Sequence, residues 1–160
     1  MKIFALCALI LLSGIAHAIP KVDLVLVKKS EAKLFLISAG IPIREYRIAM
    51  GPRPRGPKIM AGDERTPEGE YVLDRKNGKS AFYKSIHISY PNVSDRERAE
   101  RLGMHPGGSI MIHGQPNNPP WPEEVAQRYN WTNGCIAVTD QQMDEIWEAV
   151  DEGTPIKIQP

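Results

Sequence analysis

One thiol and one upstream imidazole are the residues in this chain best placed to do chemistry. Cys135 follows a glycine in Trp131-Thr132-Asn133-Gly134-Cys135-Ile136-Ala137-Val138-Thr139. His113 ends a short apolar run, Ile110-Met111-Ile112, and precedes Gly114. A Pro- and Asn-rich loop, Gln115 to Trp121, and a short polar segment lie between them. A thiol attacks as thiolate, so at neutral pH it needs a neighbouring base or a lowered pKa. The pairing predicts a Cys–His acyl-transfer site. Cys135 would attack a peptide carbonyl, and His113 would take its proton and later return one to the leaving amine. The backbone N–H groups of Gly134 and Cys135 are candidates for an oxyanion hole. Gly134 has no side chain, so a substrate carbonyl can come close.

The cysteine count sharpens this reading. The chain has 160 residues and two cysteines. Residues 1–18 read as a secretory signal peptide: Lys2, an uncharged apolar run from Ile3 to Leu12, and a small-x-small site at Ala16-His17-Ala18. The run is short of the ~20 residues a membrane span needs, so no stable anchor is expected after cleavage. Cys7 lies inside that run and leaves with it. Cys135 then stands alone in an oxidising compartment, where a leftover cysteine signals an intermolecular bridge or a reactive thiol.

Cleavage leaves 160 − 18 = 142 residues, enough for one domain over 19–160 with a real core. Lys+Arg number 20 against 19 Asp+Glu, and removing Lys2 balances them. A neutral exported domain is a poor nucleic-acid binder, so none is expected as partner.

At these residues the chain resembles a family. Ile112-His113-Gly114, a variable loop, then Thr132-Asn133-Gly134-Cys135-Ile136 is similar to the L,D-transpeptidase (YkuD) signature. The resemblance extends through Gly62-Asp63, Thr66-Pro67-Glu68-Gly69, Ser89-Tyr90-Pro91-Asn92 and Pro106-Gly107-Gly108 to Gly153-Thr154-Pro155-Ile156. It implies a periplasmic or cell-envelope enzyme acting on peptidoglycan stem peptides. No cofactor or metal is expected, because His113 is committed to Cys135 and the ligand spacing is poor. The resemblance further implies carbapenem sensitivity, and a Gly114 carbonyl that orients the His113 ring. Two positions depart from the common pattern. Asn133 stands where many members carry His, and Ala137 where many carry Arg. The Gly-Cys-Ile-Ala-Val-Thr-Asp run resembles a subgroup, some of whose members release a wall-linked lipoprotein. Transfer is the expectation; L,D-carboxypeptidase or lipoprotein-releasing hydrolysis is the alternative.

The elements that must position this pair are mostly strands. Val22–Val27, Lys33–Ser38 and Ile41–Met50 read as three strands, with a turn at Lys28-Lys29-Ser30. Gly51 to Gly62 is Pro- and Gly-rich and reads as a solvated loop, in preference to a basic rim of Arg53, Arg55 and Lys58. Glu70–Asp74 and Phe82–Tyr90 read as strands around a turn at Lys76-Asn77-Gly78-Lys79. Ser94 is expected to cap a helix from Asp95 to Leu102. Ile110–Ile112 and Cys135–Val138 are core strands, with helical turns over Glu123–Tyr129 after Pro122. Thr139 and Gln142 form a capping box for a helix to about Glu152, whose apolar face is Met143, Ile146, Trp147 and Val150, ended by Gly153. Pro155–Ile158 is the last strand. The pattern is mainly β (α+β), sandwich- or barrel-like. The resemblance implies a compact L,D-transpeptidase-type β-sandwich with a helix packed after the Cys135 strand.

Other residues are candidates for the site. His87 shares a strand face with Ser85 and Ser89, as a structural residue or a contributor to the cleft. Thr132, Asn133 and Trp131 are candidates for substrate contact, Trp121 and Trp131 serving as pocket walls or core anchors. His105 reads as a surface residue. Two rival functions follow from the same residues. A zinc peptidase would use His87, His105, His113 and Cys135, whose spacings contain no close ligand pair. A non-enzymatic wall-binding module would not need His113, Gly134 and Cys135 together.

Overall fold

A computed structural model describes residues 20–160, so the expected leader lies outside the described residues. Eight strands make one sheet in the order β3-β2-β1-β8-β4-β5-β6-β7. They are β1 Leu24–Lys28, β2 Lys33–Ser38, β3 Ile41–Arg47, β4 Gly69–Ser80, β5 Tyr83–Ile88, β6 Met111–His113, β7 Ile136–Ala137 and β8 Thr154–Gln159. Three helices accompany them: α1 Val93–Arg101, α2 Glu123–Ala126 and α3 Asp140–Ala149. The sheet curls until its edges meet. Ala49, just past β3, exchanges two backbone hydrogen bonds with Ala137 of β7, at 2.9 and 2.8 Å. This meeting pairs backbone groups that an open edge would leave exposed. The architecture is the mainly-β class expected, its facing layers formed by one sheet curled on itself.

Alternation buries one side of each strand. Val25, Val27, Leu34, Leu36, Leu73, Ile86, Ile88, Ile112 and Ile136 join one core cluster. Helix α3 packs onto it through Met143, Ile146 and Ala149. It starts at the expected capping box: Thr139 Oγ1 accepts from Gln142 N at 3.2 Å, and Gln142 Oε1 from Thr139 N at 3.1 Å. The helix ends a turn earlier than expected. Val150 is fully buried in extended backbone, and Trp147 sits at the core's margin.

Other boundaries also differ. Strand β4 runs through the expected Lys76–Lys79 turn for 12 residues. It pairs with β8 over Gly69–Leu73 and with β5 from Leu73 onward, with two register shifts that absorb the Asn77-Gly78 stretch. Lys76 is pinned there: its N–H donates to Glu152 at 2.6 Å and its ammonium to the Trp147 carbonyl at 2.6 Å. The chain instead reverses between Ser80 and Tyr83. Helix α1 is capped by Asn92, not Ser94. Asn92 Oδ1 accepts from Asp95 N, and Asp95 Oδ2 accepts from both Asn92 N and the Tyr71 hydroxyl. Helix α2 is a single turn with Pro122 outside it as N-cap.

Candidate active site

Strands β6 and β7 run parallel, with His113 beside Ala137. Cys135 lies two residues before Ala137, so it projects to the same face as His113. Diagonal neighbours across a ladder lie about 7–8 Å apart, within reach of a long side chain. His113 and Cys135 accordingly line one cleft of about 480 Å³ with Ser80, Phe82, Ser109, Met111, Trp131, Thr132 and Asn133. Beneath them Ile112 and Ile136 anchor both strands in the core.

The imidazole is held from several sides. His113 is 3% exposed, and its Nδ1 lies 2.7 Å from the Gly114 carbonyl oxygen. A carbonyl only accepts, so Nδ1 carries the hydrogen and Nε2 is left as the basic nitrogen. The Phe82 and Trp131 rings flank the imidazole at centroid distances of 4.7 and 5.7 Å. Gly114 is required by space: a Cβ there would lie 2.5 Å from Asp140 Oδ1. That carboxylate oxygen also accepts from Gln115 N at 2.7 Å, fixing the chain just past the His113–Gly114 pair.

The thiol sits on a tied loop. Thr132, 4% exposed, accepts from Gly134 N at 3.2 Å and donates to the Cys135 carbonyl at 2.8 Å. The Gly134 N–H is therefore engaged, while the Cys135 N–H makes no hydrogen bond among the described residues. Of the two amides expected to receive an oxyanion, only that of Cys135 is open. Gly134 shapes the loop instead, with φ +116° and the Arg65 carbonyl 2.5 Å from where a Cβ would stand. Cys135 Sγ donates to the Ser109 carbonyl at 3.5 Å.

Burial sets the protonation of the pair. It pushes the His113 pKa below its usual 6.5, opposed by the bond to Gly114. It pushes the Cys135 thiol above its usual 9.0, opposed by the Met111 N–H and the Lys58 ammonium. Both shifts favour a resting neutral thiol beside a neutral imidazole. A neutral pair of this kind is able to support acyl transfer, the thiol proton moving as the sulfur attacks.

The cleft thus gathers His113, Cys135, Trp131, Thr132 and Asn133, with Gly114 and Gly134 acting through backbone. His87 faces the same side of the sheet, in register with Met111, but does not line the cleft; it pairs with Asp74 at 2.6 Å. His105 is a surface residue that accepts from Gly107 N. Among the described residues no three His, Cys, Asp or Glu side chains gather as a metal site requires. Trp121 is 44% exposed and lines a neighbouring apolar hollow with Val125, Tyr129 and Trp131. Phe82, Ser80, Ser109 and Met111 escaped the sequence reading; Phe82 enters because the hairpin turn falls at it. Lys58 also departs from expectation. Arg53 and Arg55 are solvated, but Lys58 is 3% exposed and bonded to Asp63 at 2.7 Å.

Comparison with known proteins bears on this geometry. The model of the L,D-transpeptidase catalytic domain (YkuD) family matches residues 23–158. The protein YafK of Escherichia coli (strain K12) is 34% identical over 107 residues, which is 66% of this chain and 36% of that protein. The helical cell shape determining protein Pgp2 of Campylobacter jejuni aligns with TM-score 0.66 at 26% identity, over 88% of this chain and 48% of that one. An L,D-transpeptidase of Xylanimonas cellulosilytica shares the fold, with TM-score 0.56 at 15% identity over 88% of this chain and 61% of that one. The chain spans about a third of YafK and about half of Pgp2.

Proposed function

Since the chain belongs to the L,D-transpeptidase catalytic-domain family, we propose that it is an exported cell-envelope enzyme that exchanges peptide bonds in peptidoglycan stem peptides through a thioester on Cys135. The observation that carries this reading is the shared cleft. His113 lines it from β6 and Cys135 from the loop end just before β7, with His113 Nδ1 fixed by the Gly114 carbonyl. The leader-like residues 1–18 support export. No helix among the described residues is long and apolar enough to cross a membrane.

In the proposed reaction His113 Nε2 takes the Cys135 proton as sulfur attacks the carbonyl at the L-centre of a diaminopimelate third residue. The oxyanion forms beside the open Cys135 N–H. Collapse breaks the peptide bond, and the amine of the fourth, D-residue leaves with the proton from His113. An incoming amine then attacks the thioester, giving its proton to His113, which returns one to the sulfur. Water in the amine's place gives trimming instead of a cross-link.

Hydrolysis is the second reading, favoured by Ala137. It is fully buried against Ala49, so no charged side chain stands there to hold a substrate. The test is purified enzyme with disaccharide-tetrapeptide, alone and with lipoprotein-linked tripeptide. Dimers joined through diaminopimelate support transfer. Tripeptide alone, or released lipoprotein alone, rejects transfer and keeps the Cys–His chemistry. No product from either rejects both.

A further inference from the structure

Beside the catalytic cleft lies a second hollow of about 470 Å³, bordered by Lys58, Ala61, Gly62, Glu64, Gly107, Gly108 and Asn133. Asn133 borders both, so the two hollows meet two residues from Cys135.

Lys58 is an unusual lining for a hollow of this size. Its side chain is 3% exposed, and a lysine is almost never so buried unless it is paired. Its ammonium carries three donors. One goes to Asp63 Oδ1 at 2.7 Å and one to the Met60 carbonyl at 3.0 Å. The third has no partner among the described residues. Asp63 is in turn saturated, accepting also from the N–H groups of Ile59, Met60 and Arg65. The pair is therefore fixed in place with one donor to spare. Lys58 also acts on the chemistry nearby, since its charge favours the Cys135 thiolate.

The same hollow is bordered by an opposite charge, Glu64. Glu64 has left-handed backbone, φ +57°, uncommon for a residue with a side chain. Gly51 packs against its carbonyl so closely that a Cβ there would lie 1.9 Å away. The backbone that carries Glu64 is thus set firmly, while among the described residues its carboxylate makes only an exposed 3.5 Å contact with Arg53. A plain anion in the hollow would meet Glu64, and a plain cation would meet Lys58. A group bearing both charges satisfies both.

We propose that this hollow receives the zwitterionic D-centre of a diaminopimelate side chain, carboxylate to Lys58 and ammonium to Glu64, making these two the residues that determine specificity at the third position. The proposal rests on the peptidoglycan reading above. Diaminopimelate carries such a zwitterion at the end of a short methylene chain from its reacting L-centre, and Asn133 borders both hollows. The open floor supports the same reading: a Cβ on Gly62 or Gly108 would meet nothing within 4 Å.

The test compares stem tetrapeptides whose third residue is meso-diaminopimelate, its D-centre carboxamide, or its D-centre N-acetyl derivative. Wild-type enzyme should show kcat/KM lower by about tenfold or more for each modified substrate, the scale of one lost charged hydrogen bond. In Lys58→Met/Asp63→Asn, which removes both buried charges together, the acid-to-carboxamide ratio should fall to about one while discrimination against the N-acetyl substrate persists. Glu64→Gln should do the reverse. Taking ratios cancels any effect of Lys58 on Cys135 itself. Equal rates of wild type on all three substrates overturn the proposal, whether or not the variants fold. A second readout separates it from the activity. Free meso-diaminopimelate added to Cys135→Ala should shift the amide resonances of Gly62, Gly107, Gly108 and Asn133. Shifts without turnover of any peptide by wild type would reject the proposed function and keep this site. Turnover without shifts or discrimination would do the opposite.

Discussion

Replacing Thr132 by valine tests how the nucleophile is held. The Thr132 hydroxyl accepts from Gly134 N at 3.2 Å and donates to the Cys135 carbonyl at 2.8 Å. Valine keeps the shape and deletes both bonds. A buried polar group left unpaired costs about 1–3 kcal/mol. Gly134 is buried and Cys135 only partly so, which puts the sum at about 2–4 kcal/mol. At roughly 2–4 °C per kcal/mol for a domain of this size, Tm should drop by about 5–15 °C. Thr132→Ser keeps both bonds and loses a methyl, about 1 kcal/mol. Differential scanning calorimetry of the three proteins reads the difference. The rate adds a second constraint. Loosening the loop should displace the sulfur and lower kcat by about 10–100-fold, as small misplacements do. The valine also frees the Gly134 N–H. If that amide were the working oxyanion donor, Thr132→Val would keep or raise kcat per folded molecule. Unchanged Tm, or an undiminished kcat, would refute the role given to this hydroxyl.

Other perturbations have equally definite outcomes. The lowered His113 pKa predicts that the acid limb of kcat/KM falls below pH 6.5, because the base stays neutral further into acid. The same shift means stability is full above 6.5 and declines as pH falls through the folded value, which urea melts across pH would show. Alkylation of Cys135 by iodoacetamide in His113→Ala should still be rising with pH at 9.0, because the reagent takes the thiolate; a plateau near neutrality would contradict the buried-thiol reading. Lys29 is 4% exposed and donates to Gly56 O, Thr66 O and Glu68 Oε1. Lys29→Met should cost about 3–5 kcal/mol in chemical denaturation, since it strands a mostly buried carboxylate. Gly114→Ala should lower kcat by about tenfold or more with KM little changed, because the Cβ must push against Asp140 and move the carbonyl that holds His113.

Where local chemistry decided the structure, the residues announced it. Strand β2 has its expected bounds, and the Thr139–Gln142 box starts α3 where the side chains call for it. His113 and Cys135 were legible because each abuts a motif glycine, and the parallel pairing of β6 and β7 explains why distant segments converge. What stayed hidden was decided by tertiary partners. Lys76-Asn77-Gly78-Lys79 has turn chemistry, yet Glu152 and Trp147 hold it in a bent strand. Ser94 is a good cap by type, but Asn92 wins because Asp95 closes the box and the Tyr71 hydroxyl reinforces it. Lys58 looked like one of several solvated cations. Its burial depends on Asp63, whose own carboxylate is fixed by three backbone donors the sequence does not display. The engagement of the Gly134 N–H by Thr132 likewise depends on a loop conformation that no residue type specifies.

The central claim is that Cys135 forms the acyl-enzyme with His113 as its base. The most direct measurement is intact-protein and peptide mass spectrometry after exposure to a carbapenem or to a peptidoglycan tetrapeptide. The account predicts one adduct, on the peptide that contains Cys135, absent in Cys135→Ala and formed about 10²–10⁴-fold more slowly in His113→Ala. An adduct on any other residue, or full turnover by Cys135→Ala, would contradict it.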